Sequence, residues 1–305
     1  MQKVFLDESY FRGIVSLEQT SGGLRPWRIP YQRRGLFDTG LVVRAGWAAG
    51  VRIKFRTDSP VVRLSLKPFV NEEFKNEIQM YDLCVNGKLI SSCTLPQGKG
   101  EAVFSGIGSS DKVVEIWLSQ FGPTVIRSLE VEDGCSADPV EDKFPRWITY
   151  GSSITMCRSA HSPARTWPAV VARKCGLDLM CQGFGGQCQL DPMIGLQIRD
   201  MEADFISLKL GINTGGSLGA RAFPNLAIGL VEIIREKHPE TPIAIISPII
   251  SPPRENTRLP AGQTLMAMRG QLEDVVERLR AAGDRHIKYF DGRILFGSDL
   301  VEKYL

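Results

Sequence analysis

The hydrophobic rhythm of the chain changes once, across a polar and turn-rich stretch at residues 132–145, Glu-Asp-Gly-Cys-Ser-Ala-Asp-Pro-Val-Glu-Asp-Lys-Phe-Pro. Before it, apolar and polar residues alternate, as in Val51-Arg52-Ile53-Lys54-Phe55-Arg56, Val62-Arg63-Leu64-Ser65-Leu66 and the end of Thr124–Val131. A period of two sends one row of side chains into a core and the other into water, the mark of half-buried strands. Asn86-Gly87, between Leu83-Cys84-Val85 and Lys88-Leu89-Ile90, is a hairpin signal, because both central residues of the favoured turn need positive φ. No long amphipathic helix is evident there. Residues 1–131 are therefore expected to form an antiparallel β-sandwich of jelly-roll type, residues 132–145 a linker, and residues 146–305 a separate α/β domain.

In that third part short apolar runs alternate with helical periodicity. Strands are expected at Trp147–Tyr150, Leu177–Cys181, Phe205–Leu210, Ile243–Ile246 and Ile287–Phe290. Helices are expected from about Pro163 to Lys174, through Phe223, Leu226, Ala227, Leu230, Val231 and Ile234, and through Leu265, Met268, Leu272, Val275, Val276 and Leu279, the last stopped by Gly283. Such alternation predicts a three-layer α/β/α arrangement around a parallel sheet. Ligands of these sheets bind at the carboxyl ends of the strands, so chemistry is sought there.

Three strand ends carry it. The first reads Tyr150-Gly151-Ser152-Ser153-Ile154-Thr155, where a hydroxyl could be a nucleophile or only a helix cap. The second reads Gln182-Gly183-Phe184-Gly185-Gly186-Gln187, whose glycines let backbone N–H groups face a ligand, although glycine-rich strand exits are common. The third reads Leu210-Gly211-Ile212-Asn213-Thr214-Gly215-Gly216, where a lone Asn is more usually a turn residue. Together they supply a nucleophile, a backbone donor and a side-chain amide donor at one crevice, the requirements for acyl transfer.

These blocks resemble those of the SGNH (GDSL) hydrolases. Gly151-Ser152-Ser153-Ile154-Thr155 is similar to their first block, usually Gly-Asp-Ser, Gly183-Phe184-Gly185-Gly186 to the second, and Gly211-Ile212-Asn213 to the third, Gly-x-Asn-Asp. The likeness covers about residues 146–305, and a preceding β-sandwich is similar to the two-domain bacterial members. It implies that Ser153 is the nucleophile and that the oxyanion hole is formed by the Ser153 N–H, the Gly186 N–H and the Asn213 side chain. Ser152 and Thr214 stand where the family usually has Asp. Neither Asp is the triad acid in the family, so altered hydrogen bonding is expected rather than lost chemistry.

The family's last block, Asp-x-x-His, supplies acid and base after the fifth strand and before a final helix. Residues 291–305 contain no Asp-x-x-His, and the expectation is a C-terminally shortened domain without that helix. His238 reads as a solvated group at a helix end. His286 precedes the fifth strand, at the wrong edge of the sheet. His161, eight residues after Ser153, is the substitute base the sequence offers.

The resemblance implies a serine esterase that hydrolyses short acyl esters of small molecules or carbohydrates through an acyl-enzyme on Ser153. An acyltransferase using the same intermediate, or a ligand-binding pseudoenzyme, remain open alternatives. No cofactor and no metal is expected: no His/Cys/Asp cluster has ligand spacing, and Gly183–Gly186 lacks the dinucleotide fingerprint. With 37 basic and 34 acidic residues dispersed along the chain, no nucleic-acid footprint is expected. No stretch approaches a membrane span, and a homo-oligomer is left open. Met1–Glu8 lacks the apolar run of a secretory signal, and the seven scattered cysteines do not form a disulfide framework. The expected location is therefore cytoplasmic, with a removed signal left open. Arg158 and Arg165 are read as surface or structural, with anion binding as the alternative. Trp27, Trp47 and Trp117 are read as core rather than as a sugar platform.

Overall fold

The computed structural model describes residues 1–70, 78–141 and 143–304. The chain divides into two compact units, Met1–Phe144 with Met156–Cys181, and Pro145–Thr155 with Gln182–Leu305.

The first unit contains two antiparallel sheets. One has the strand order Ser16–Thr20, Gly23–Trp27, Ile126–Val131, Val61–Leu66, Glu101–Ser105, with Gln2–Val4 also beside Ile126–Val131. The other has the order Asp138–Pro139, Arg52–Thr57, Lys112–Trp117, Gln79–Val85, Lys88–Leu95, with Phe11–Arg12 beside Arg52–Thr57. The alternating residues do what their period requires: Ile53 and Phe55 from one sheet and Val62, Leu64 and Leu66 from the other join a single core. The Asn86-Gly87 hairpin has φ of 48° and 77°, positive at both positions as that turn demands. Trp27, Trp47 and Trp117 are all buried. Asp138–Pro139, inside the expected linker, pairs with Arg56 and Phe55 as a short strand. One helix of seven residues, Thr39–Ala45, is too short to show as a periodic pattern.

The α/β part of the chain runs β1 (Arg146–Gly151), α1 (Trp167–Cys175), β2 (Asp178–Gly183), α2 (Pro192–Asp200), β3 (Phe205–Lys209), α3 (Ala222–Arg235), β4 (Ile243–Ile246), α4 (Leu265–Ala281), β5 (Ile287–Phe290) and α5 (Ser298–Tyr304). The strand order is β2-β1-β3-β4-β5. β1 and β3, β3 and β4, and β4 and β5 pair in parallel, with Gly151 opposite Lys209 and Lys209 opposite Ile246. Helices flank the sheet, α2 against α3, α3 against α4, and α4 against β5. The apolar stripes of α3 and α4 are the buried ones, Phe223, Ala227, Leu230, Val231 and Ile234 on α3 and Leu265, Met268, Leu272, Val275, Val276 and Leu279 on α4. Thr166 and Thr264 cap α1 and α4 with their hydroxyls, accepting from Ala169 and Ala267 N–H.

Three elements differ from the sequence expectation. The region from Pro163 is a short 3-10 turn, Pro163–Arg165, and α1 begins only at Trp167, after the Thr166 cap. α2 has no counterpart in the sequence reading. A helix, α5, does follow the fifth strand; Asp299 in its first turn and Lys303 in its last suit the helix dipole. Among the described residues no helix is long and apolar enough to cross a membrane, and no group of three His, Cys, Asp or Glu residues could hold a metal.

Candidate active site

β1 ends at Gly151, and the chain turns at once into the short helix Ser153–Met156. The turn is tight because Gly151 has no side chain: a Cβ there would lie 2.2 Å from Thr155 Oγ1 and 3.2 Å from Lys209 Cβ. The two adjacent serines then part. Ser152 is buried, and its hydroxyl accepts from the Ile154 N–H at 3.4 Å, so Ser152 takes the capping role. Ser153 is exposed. As first residue of the helix, its N–H has no intrahelical acceptor.

The glycine loop after β2 is tied to this turn by the Phe184 N–H, which donates to Gly151 O at 2.8 Å. Gly186 is exposed with φ of 75°, a conformation that favours glycine. Its N–H has no acceptor among the described residues. The Asn213 loop is tied in turn to the glycine loop. Cys188 N–H donates to Asn213 Oδ1 at 3.2 Å, and Gln189 Nε2 donates to Asn213 O at 2.8 Å. Only the oxygen of an amide can accept from an N–H, so Asn213 Nδ2 is the end left to act as donor. Thr214, in place of the usual Asp, turns its hydroxyl back on Gly211 O at 2.6 Å and is fully buried. The structure thus links the loops of Ser153, Gly186 and Asn213 by hydrogen bonds.

Beneath these loops lies a set of buried ionisable groups that the sequence reading did not single out. Tyr150 is wholly buried, and burial raises its pKa well above the ordinary value. Burial likewise pushes the Cys188 thiol up to about 12. Lys209, last residue of β3, is brought down to about 8 by burial, the Cys188 thiol opposing and Arg269 adding to the fall. The signal was in the sequence: Lys209 is a lone charge within Phe-Ile-Ser-Leu-Lys-Leu. On the loop after β4, Arg269 of α4 binds Glu255 through two hydrogen bonds of 2.6 and 2.8 Å. It also donates to the carbonyls of Pro248 and Ile249. These bonds hold Glu255 below its ordinary carboxylate range.

His238 corrects its expectation. It is buried rather than solvated, with Nε2 3.2 Å from Ile198 O and Nδ1 3.3 Å from Thr241 Oγ1, because α2 covers the end of α3. His286 is exposed, and its carbonyl accepts from Ile243 N–H at the amino ends of β4 and β5. His161 and Arg165 are exposed, and the Arg158 guanidinium lies over the Trp47 ring at 5.5 Å.

Comparison with known proteins places this geometry in context. Residues 9–127 match the family model described as SsfX3, N-terminal domain, and residues 145–302 match the GDSL-like Lipase/Acylhydrolase family. No curated protein matches the chain in the corresponding sequence comparison. Among solved structures, a salicylyl-acyltransferase, SsfX3, from a tetracycline biosynthetic pathway is 36% identical, with a TM-score of 0.88 over 95% of this chain and 84% of that one. A protein from Bacteroides ovatus described as a putative GDSL-like lipase is 21% identical with a TM-score of 0.76, over 95% of this chain and 86% of that one. A family two carbohydrate esterase from Clostridium thermocellum is 13% identical with a TM-score of 0.60, over 80% of this chain and 82% of that one. These last two likenesses concern the fold.

Proposed function

The chain belongs to the GDSL-like lipase/acylhydrolase family, and from that premise we propose that Ser153 takes an acyl group from an ester and passes it to a hydroxyl acceptor. Serine-based acyl-enzyme chemistry on esters, whether ended by hydrolysis or by transfer, comes with the family.

In the first half-reaction Ser153 Oγ attacks the acyl carbon and gives up its proton to a base. The negative charge that develops on the carbonyl oxygen falls to the N–H of Ser153, the N–H of Gly186 and Asn213 Nδ2. The C–O bond to the leaving group breaks, the departing oxygen takes a proton, and Ser153 is left esterified. In the second half-reaction an alcohol repeats the attack on the acyl-enzyme and regenerates the serine. Of the histidines, His238 is packed as a structural group and His286 lies at the amino edge of β4 and β5.

Transfer is preferred to hydrolysis on one observation. The solved structure that is 36% identical over 95% of the chain is named an acyltransferase. The exposed Ser153 beside the buried, capping Ser152 supports the nucleophile assignment.

The test measures partitioning. The protein is given p-nitrophenyl acetate with rising glycerol, and the acetylated alcohol and free acetate are both quantified. Transfer predicts an ester product well above the share expected from the alcohol-to-water ratio. Acetate alone at every glycerol concentration would return the chain to the hydrolases.

A further inference from the structure

We infer that the Tyr150 hydroxyl is a positioning group for the oxyanion donors, acting through residues Cys188–Leu190. This rests on the reading of Asn213 as a donor.

Tyr150 lies on β1 directly before the Gly151-Ser152-Ser153 turn. Its hydroxyl oxygen accepts from the Leu190 N–H at 3.3 Å. Leu190 has φ of 62°, a left-handed conformation that a branched apolar residue rarely adopts. Such a residue stays there only where its surroundings over-determine it. Here they do. The Cys188 Sγ donates to Lys209 O at 3.8 Å, while Gln189 accepts from Ser217 Oγ at 2.6 Å.

Two of the same three residues also grip Asn213. The Cys188 N–H holds its side-chain oxygen, and Gln189 Nε2 holds its carbonyl. The phenol therefore fixes a strained segment, and the segment aims the amide. Deleting the hydroxyl frees Leu190 to leave the left-handed region. The Cys188 N–H then drifts, and the Asn213 amide loses the contact that orients it.

Tyr150→Phe keeps the ring and removes only the hydroxyl. The expected result is a kcat lower by roughly tenfold with KM unchanged. In an Asn213→Ala background the same substitution should cost less than about twofold, because the group it positions is gone. Amide exchange over residues 186–190 should rise in Tyr150→Phe. Cys188→Ala, which keeps the N–H and removes the thiol, is the second variant and should show the same coupling in smaller measure. Equal losses in both backgrounds would mean a structural role only and overturn the inference, as would unchanged exchange in a folded Tyr150→Phe protein. Wild-type kcat in Asn213→Ala alone would instead overturn the donor reading, and the inference with it.

Discussion

The Asn213 side-chain oxygen accepts the Cys188 N–H at 3.2 Å, and that one bond leaves Nδ2 as the end of the amide free of it. On the proposed mechanism, Asn213→Ala removes a group that acts mainly on the developing oxyanion. Turnover should fall by roughly 100- to 1000-fold with little change in KM. Steady-state kinetics on an aryl ester checks this, and a proportional rise in KM would mark Asn213 as a substrate-binding residue.

Ser152 and Ser153 are neighbours with opposite surroundings, one buried and one exposed. Phosphonate labelling followed by peptide mass spectrometry should place the adduct on Ser153. Ser153→Ala should abolish labelling. Ser152→Ala should keep it while lowering stability by about 1 kcal/mol, the usual worth of a lost cap.

Lys209 gives a pH signature. Its folded pKa of about 8 lies below its ordinary 10.5, so between these values the unfolded chain binds a proton that the folded chain has shed. Stability from this group therefore rises with pH from about 8 to 10.5, and below 8 the burial penalty is complete. Lys209→Met removes a penalty on the order of 3 kcal/mol at pH 7 and progressively less as pH rises through that window. Urea unfolding at pH 7 and pH 10 reads the difference; an equal effect at both pH values would show that Lys209 is not buried as a charge.

Glu255 has the opposite sign. Its folded pKa is depressed below 4.5, so its stabilisation is present above pH 4.5 and is lost as the pH falls through the folded value. Glu255→Gln should flatten the acid limb of the stability curve. Arg269→Met, which strands a part-buried carboxylate, should cost about 3 kcal/mol or more near neutral pH. Thermal unfolding across pH 3–7 separates the two.

The parts of the fold written in short-range pattern were legible. β4 and β5 lie where the apolar runs Ile243–Ile246 and Ile287–Phe290 predict, and both long helices, α3 and α4, follow their stripes. α2 was not legible, because it opens on Pro192 and carries Gly195, both of which read as breakers. In the fold Gly195 is a contact surface, where a Cβ would meet Leu230 Cδ1 at 3.1 Å. The site shows the same division. The three glycine-marked strand ends were readable as motifs, but the bonds of Tyr150, Cys188 and Gln189 run to partners distant in sequence. Nothing local to Tyr150 announces a bond to Leu190. His238 was misread for the same reason: its partner Ile198 belongs to the helix the sequence hid.

The register that sets Gly151 opposite Lys209 also fixes when the site can come into being. Trp147 pairs with Phe205, and the turn that carries Ser153 follows directly on this pairing of two strands far apart in sequence. Parallel pairing of this kind requires closing a long crossover before any contact rewards it, which makes it slow. The loops of Ser153, Gly186 and Asn213 thus depend on contacts that are late to be rewarded in folding. On the proposed mechanism, acyl acceptance by Ser153 is in that sense a clock for the completion of the sheet.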